Sequence, residues 1–279
     1  MARDVPSPVA AAGPEGLSTA PALQGPVKLQ KGEPVVLVDG HGKRHLVTLT
    51  GGSEAIPRLG VISTAQLEGM EEGSVLRVGA AQLMVLRPTA IDLVASIERR
   101  AQIILPKDAA MIAMHADVKA GDLVVEGGAG SGALSVVLLR LLRPGGRLVS
   151  YELREDHAEL VRANVARAGL SGGHTVKLGD ITKGIEEREV DAVVLDLPEP
   201  WDAIPAATGA LRPGGRLVSY SPTVGQVERT HAALRAARYT EPRTFEVLER
   251  ELVVGPQGTR PSFEMLGHSG YITAARRLP

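Results

Sequence analysis

"DLVVEGGAGSGALSVVLLRLL", residues 122–142, decides how this chain is read. A short apolar run, Leu123 to Val125, enters a stretch where Gly127, Gly128, Gly130 and Gly132 leave little side chain, and an apolar segment with helical spacing follows. Strand, glycine turn and helix in that order make the first half of a βαβ unit, and in an open α/β sheet ligands sit beyond the carboxyl ends of the strands. Glycines there let a ligand approach the backbone closely. The stretch is a candidate cofactor loop, with a ligand-free tight βα turn as the plainer alternative. Its spacing, Glu126-x-Gly128-x-Gly130-x-Gly132, is not the G-x-G-x-x-G of dinucleotide enzymes. Nor is it a phosphate loop, because no Gly-Lys-Ser/Thr follows.

Downstream the texture alternates through "GRLVSYEL", "EDHAELVRANVARAG", "HTVKLGD", "DAVVLDL", "AIPAATGAL", "GRLVSYSP" and "TVGQVERTHAALRAA". The strand-like runs are near-continuously apolar and the helical ones amphipathic, which predicts a parallel sheet covered on both faces. "FEVLERELVVG" and "GHSGYITAARRL" predict a terminal antiparallel pair. The fold class is α/β, a doubly wound Rossmann-like sheet over residues 106–279 with a small N-terminal β-rich domain. Upstream, "TAIDLVASIERRAQIILPKDAAMIAMHADV" reads as a helix, a break at Leu105-Pro106 and a second helix. Pro106 suits a first turn and Asp108 complements the helix dipole. Residues 89–105 are expected to be a helical linker. Residues 27–88 carry "EPVVLVDGHGKRHLVTLTGG", a hairpin about Asp39-Gly40-His41-Gly42, and "SVLRVGAAQLMVLRP", two further strands. The first 26 residues, rich in Pro, Ala, Gly and Ser, are expected to be a disordered leader.

At 279 residues there is room for two domains. No cysteine is present, which excludes disulfides, thiolate zinc sites, iron–sulfur clusters and a cysteine nucleophile. No run of about 18 apolar residues occurs, so the chain is read as soluble, unexported and cytoplasmic. Net charge is -1, but from Arg212 onward ten Arg stand against six Glu. Arginine grips phosphates bidentately, which suits a nucleic-acid partner, while the codon preference of a GC-rich genome explains the same excess. His41, His45, His115, His174 and His231 have no ligand spacing, so no metal site is expected.

Acids close the predicted strands. The second strand ends in "VSYELRED", placing Glu152 22 residues after Gly130, where an acid in this architecture accepts hydrogen bonds from a ribose diol. The third ends in "KLGD" at Asp180 and the fourth in "VVLDLPEPW" at Asp196. Any one of these is ordinarily a solvated strand end or a helix cap. With Glu126 and Gly128 at the end of the first strand, four such ends in succession outline a nucleoside pocket with Asp196 at its reactive end. Pro198 and Pro200 stiffen the following loop. Trp201 either walls the target pocket or packs under the next helix.

The glycine turn resembles the first motif of class I S-adenosylmethionine-dependent methyltransferases. Together "LPKDAAMI", "VEGGAGSGALS", "SYELREDHAELVRANV", "VVLDLPEPW" and "RPSFEMLGHSGYITAARR" resemble the bacterial and archaeal tRNA (adenine-N1)-methyltransferases, which act on adenosine 58 of the T-loop and in archaea also on its neighbour. The resemblance spans residues 27–279. It implies S-adenosylmethionine as cofactor, tRNA as partner, a homotetramer, and neither metal nor membrane. It implies that Glu126, Gly128, Gly130, Ser131, Gly132 and Leu134 line the cofactor, with Ile104, Leu105 and Lys107 closing over it. Glu152 would hold the ribose, His157 would lie near the cofactor, and Asp180 with Ile181 would bound the adenine. Asp196 matches the catalytic aspartate. Trp201, Arg260 and His268 would serve the target site, the last two alternatively the subunit contacts. One departure stands out: many relatives carry tyrosine where this chain has Leu105, which removes a ring that could stack on the target base. Methylation of a small molecule or a protein by the same fold, and a non-catalytic tRNA-binding subunit, are the alternatives.

Overall fold

The computed structural model describes residues 27–100 and 102–279. The expected leader, residues 1–26, lies outside the described residues. Six strands come first: β1 (Pro34–Val38), β2 (Arg44–Thr48), β3 (Ser53–Ile56), β4 (Gly60–Ser63), β5 (Val75–Val78) and β6 (Ala81–Leu86). β1 and β2 pair antiparallel across the Asp39 turn, and the four-stranded order is β2-β1-β6-β5. Leu37, Leu49, Leu67 and Leu83 are among the fully buried side chains of a core belonging to this part alone. The β3–β4 hairpin was not expected from the sequence. Its turn, between Pro57 and Gly60, holds Arg58 at φ 70, a position usually given to glycine or asparagine.

The next segment holds α1 (Ala90–Ala95), opened by a capping box in which Thr89 and Asp92 satisfy each other's backbone donors. The expected helical linker is thus helical over only six residues. Ile97, Ile103 and Ile104 follow it and are buried in the main core, so burial of irregular chain replaces the rest of the helix. α2 (Pro106–His115) starts with proline at its first position behind an extended Leu105.

The remaining elements are β7 (Leu123–Gly127), α3 (Ala133–Leu142), β8 (Arg147–Glu152), α4 (Glu155–Arg167), β9 (His174–Leu178), β10 (Val190–Leu195), α5 (Ile204–Ala210), β11 (Leu211–Ser221), α6 (Val224–Ala236), β12 (Arg243–Glu246), β13 (Leu252–Gly255), β14 (Gly258–Pro261) and β15 (Tyr271–Arg276). Seven strands form one sheet in the order β12-β15-β11-β10-β7-β8-β9. β7, β8, β9, β10 and β11 run parallel, and β15 is antiparallel to both neighbours. Successive strand residues alternate between two cores. Val124, Val194 and Val218 join Leu138, Ile112 and Val161 on the side of α2, α3 and α4. Val125, Val193 and Leu217 join Ile204, Ala207 and Leu234 on the side of α5 and α6. Both faces are therefore dry, which explains the unbroken apolar runs.

The terminal pair differs from expectation in one respect. β12 and β15 are antiparallel neighbours as the pattern predicts, but "FEVLERELVVG" is not one strand. Its second half is β13, which pairs with β14 across Pro256-Gln257 in a separate two-stranded arm, exposed along its whole length. The charged Glu249-Arg250-Glu251 stretch leaves the main sheet, and Gly255 and Gly258 flank the turn that folds the arm on itself.

Candidate active site

The sheet reverses its strand order at β7, so β8 and β10 leave it on opposite sides and a crevice opens at their carboxyl ends. Backbone hydrogen bonds lace these ends together. Gly128 donates to the Tyr151 carbonyl at 3.0 Å, Asp196 to the Gly127 carbonyl at 2.9 Å, and Gly179 to the Glu152 carbonyl at 2.9 Å. This fixes the relative height of Glu152 and Asp196 at the crevice. Gly128, Gly130 and Gly132 all have left-handed backbone, at φ 83, 53 and 83. A methyl group on Gly132 would stand 2.7 Å from Val161 Cγ2, so α3 and α4 approach closely only because that residue is glycine.

A cavity of about 810 Å³ occupies the crevice. Of the sequence-predicted residues, Gly128, Gly130, Glu152, His157, Asp180, Ile181 and Asp196 line it. Glu152 Oε2 accepts from the Gly130 amide at 3.1 Å and Oε1 from the Arg154 amide at 3.0 Å, so this carboxylate also shapes the glycine turn. Asp180 caps a single 3₁₀ turn, Ile181–Lys183. Its Oδ1 accepts from the amide and hydroxyl of Thr182, which hold the carboxyl below its usual range. Asp196 is an exposed residue at the cavity wall, in a crevice crowded by protein atoms. Burial, with the Glu152 charge beside it, pushes its pKa up to about 7.

Glu126 is brought to the turn but not to the cavity wall. Its Oε2 accepts from Ser135 at 2.7 Å and Ser150 at 2.6 Å, whereas Oε1 is buried without a partner. Burial raises its pKa to about 7 despite those two hydroxyls. Ile104 and Leu134 sit in the main core, Leu105 is the half-buried cap of α2, and the Ser131 hydroxyl faces the Arg100 amide.

Lys107 does not close over the cavity. Its ammonium is buried and donates to Asp108 Oδ1 at 2.8 Å, the Val247 carbonyl at 2.8 Å and Ser269 Oγ at 2.6 Å. A buried cation needs such partners, and they bind α2 to the end of β12 and the entry of β15. Asp108, read from the sequence as complementing the helix dipole, is the fully buried counter-ion. Trp201 packs against the core under α5 and α6, with the Arg229 guanidinium 5.1 Å from its ring centre. Arg260 lies on the exposed arm over Phe263, at 4.7 Å. His268 stands behind the cavity and touches its wall through Pro222.

Sequence reasoning missed Gln102 and Gln226 in the cavity lining. Gln102 precedes α2 with no motif to mark it. Gln226 had a readable signal: "TVGQ" is a capping box, and the structure shows Thr223 and Gln226 capping α6 while the Gln226 amide donates to the Pro198 carbonyl at 2.9 Å. Among the described residues no group of three His, Cys, Asp or Glu could hold a metal ion.

The crevice suits a nucleoside carrying positive charge. Left-handed glycines admit a close backbone approach, an acid waits at the second strand end, and a cationic ligand in the cavity would favour the ionised form of Asp196 beside Glu152. Sheet order, glycine turn and acid series together define a class I S-adenosylmethionine-dependent methyltransferase. Residues 82–259 match the family described as tRNA methyltransferase complex GCD14 subunit, and residues 27–76 match the TrmI-like N-terminal family. The chain is 32% identical to the tRNA (adenine(57)-N(1)/adenine(58)-N(1))-methyltransferase TrmI of Methanocaldococcus jannaschii, covering 88% of this chain and 95% of that one. Among solved structures, it resembles a SAM-dependent O-methyltransferase of Thermotoga maritima with a TM-score of 0.78 and 33% identity, over 90% of this chain and 95% of that one. It also resembles the tRNA (m1A58) methyltransferase TrmI of Aquifex aeolicus, TM-score 0.71 and 25% identity, over 91% and 100%. This chain belongs to the GCD14 tRNA methyltransferase family.

Proposed function

We propose that this enzyme transfers a methyl group from S-adenosylmethionine to N1 of adenosine 58 in the T-loop of tRNA, with Asp196 orienting the base. The observation that carries the reading is the Asp196 carboxylate, open to the same cavity as the glycine turn and Glu152. Bound in that cavity, S-adenosylmethionine supplies an electrophilic methyl carbon on a sulfonium. Gly128, Gly130, Glu152, Asp180 and Ile181 would hold it. Adenine N1 is a weak neutral nucleophile whose ring gains positive charge on methylation. A carboxylate accepting from its N6 amino group aligns N1 and stabilises that charge. The base has to leave the T-loop stack to reach a cavity at the strand ends.

The alternative of small-molecule methylation is separated by one experiment. Incubation with labelled S-adenosylmethionine and unmodified tRNA, followed by nucleoside analysis, is expected to give N1-methyladenosine at position 58. Label in a metabolite extract with none in tRNA would overturn the reading.

The homotetramer is part of this proposal. The arm leaves Leu252, Val254 and Phe263 at 59, 78 and 84% exposure, more apolar surface than a free hairpin keeps in water. A second copy is the proposed occupant, which would bring Arg260 to a neighbour's site. Val254→Asp with Phe263→Asp is expected to lower the mass seen by light scattering. An unchanged mass would remove the arm from assembly. The proposal also takes residues 27–88 as one domain, 106–279 as the catalytic domain, and the cytoplasm, where tRNA is, as the location. No helix among the described residues is long and apolar enough to cross a membrane.

A further inference from the structure

We propose that His268 is a positioning residue that works as an imidazolium, pinning the Pro222 wall of the target-base pocket to the edge of the sheet. The argument rests on the methyltransferase reading of the cavity. Nδ1 lies 2.6 Å from Glu246 Oε1 and Nε2 lies 2.8 Å from the Pro222 carbonyl. A carbonyl only accepts, and so does an ionised carboxylate, so each ring nitrogen must carry a hydrogen to make both bonds. The doubly protonated ring also forms the stronger, charge-assisted kind of bond.

The groups facing the ring set the sign. Glu246, on β12, favours the cation, and the Pro222 carbonyl does the same. Lys107, on α2, opposes it, but its ammonium is already committed to Asp108, Val247 and Ser269. Tyr271, on β15, tilts its ring against the imidazole at 4.8 Å. The net effect raises the His268 pKa above its usual 6.5.

The geometry accounts for three residues of the Gly-His-Ser-Gly run. His268 holds Pro222 and Glu246, Ser269 receives Lys107, and Gly270 has to be glycine because any Cβ would meet the Tyr220 hydroxyl at 2.6 Å. Pro222 and Gln226 line the cavity with the glycine turn, and Gln226 in turn holds the carbonyl of Pro198, two residues after Asp196. Losing the His268 proton breaks one of its two bonds and frees the Pro222 wall, without touching Glu152 or the glycine turn.

The test begins on the unmutated protein. Histidine labelled at Cε1 is followed by NMR across pH, and the His268 resonance is expected to titrate above 6.5. A value at or below that figure overturns the proposal. Methylation of unmodified tRNA at saturating cofactor is then expected to fall on the alkaline side with the same midpoint. His268→Gln is expected to lose that alkaline limb and about tenfold in kcat, with KM for S-adenosylmethionine unchanged. His268→Arg, which keeps two N–H donors and a fixed charge, is expected to recover the rate with a flat alkaline side. An alkaline limb that persists unchanged in His268→Gln overturns the proposal. Calorimetric cofactor binding checks that the variants fold. If they do not, the NMR titration decides. Absence of any tRNA methylation by the unmutated enzyme would instead sink the functional reading, and the titration would still report the state of His268.

Discussion

Asp196→Ala is expected to bind S-adenosylmethionine and to lose methyl transfer to tRNA by about two orders of magnitude or more. The fold tolerates the change, because Asp196 joins β10 to β7 through its backbone amide and not through its side chain. Calorimetry against the cofactor and single-turnover methylation separate the two properties, and near-normal turnover would take Asp196 out of the chemistry. The carboxyl also predicts a pH dependence. Its pKa of about 7 in the folded, ligand-free protein lies above the ordinary 3.8, so the charged form is penalised by folding. The enzyme is most stable with respect to this group below pH 4, and stability is lost as pH rises through 7. Asp196→Asn is therefore expected to raise the melting temperature of the ligand-free protein more at pH 8 than at pH 5. Activity runs the other way. Base orientation needs the carboxylate, so the rate should climb with pH up to about 7, and a positively charged ligand in the cavity shifts that limb to lower pH.

Gly128→Ala should abolish cofactor binding and lower the melting temperature. Two effects act at one atom. The φ of 83 places the residue in the left-handed region, which costs an L-amino acid roughly 1–2 kcal/mol. The added Cβ would also overlap the Asp196 carbonyl oxygen and stand 3.2 Å from Leu197 Cδ2. Backbone cannot swing aside as a side chain does, so either the turn or the loop carrying Asp196 must move. Gly121→Ala separates the terms, since it has φ 87 with nothing within 4 Å of a Cβ. That variant pays the conformational term alone and should bind the cofactor normally. Equal binding by both variants would show that the contact between the turn and the Asp196 loop is not needed.

Much of this site was legible because its signals are local. The glycine turn, Glu152 22 residues beyond Gly130, and Asp196 before two prolines are each set by the chain within one strand and its following loop. The parallel order of the strands then brings them to one edge without further instruction. Where reasoning from motif to role went astray, the residue had a choice of neighbours distant in sequence. Lys107 sits in a motif beside the cavity, yet its partners are 140 and 162 residues away, at Val247 and Ser269. Trp201 follows Asp196 closely, and of the two readings its sequence position allowed, it takes packing against the core under α5 and α6.

The sequence by itself determined the alternation of strand and helix, the two-faced burial of the sheet and the acids at its strand ends, because these follow from periodicity and from turns a few residues long. Only the tertiary structure decided that β13 and β14 stand apart as an arm, that Lys107 and Asp108 are a buried pair, and that His268 lies between two acceptors. Those outcomes turn on which distant backbone carbonyl or carboxylate meets a given donor, and no local pattern carries that information.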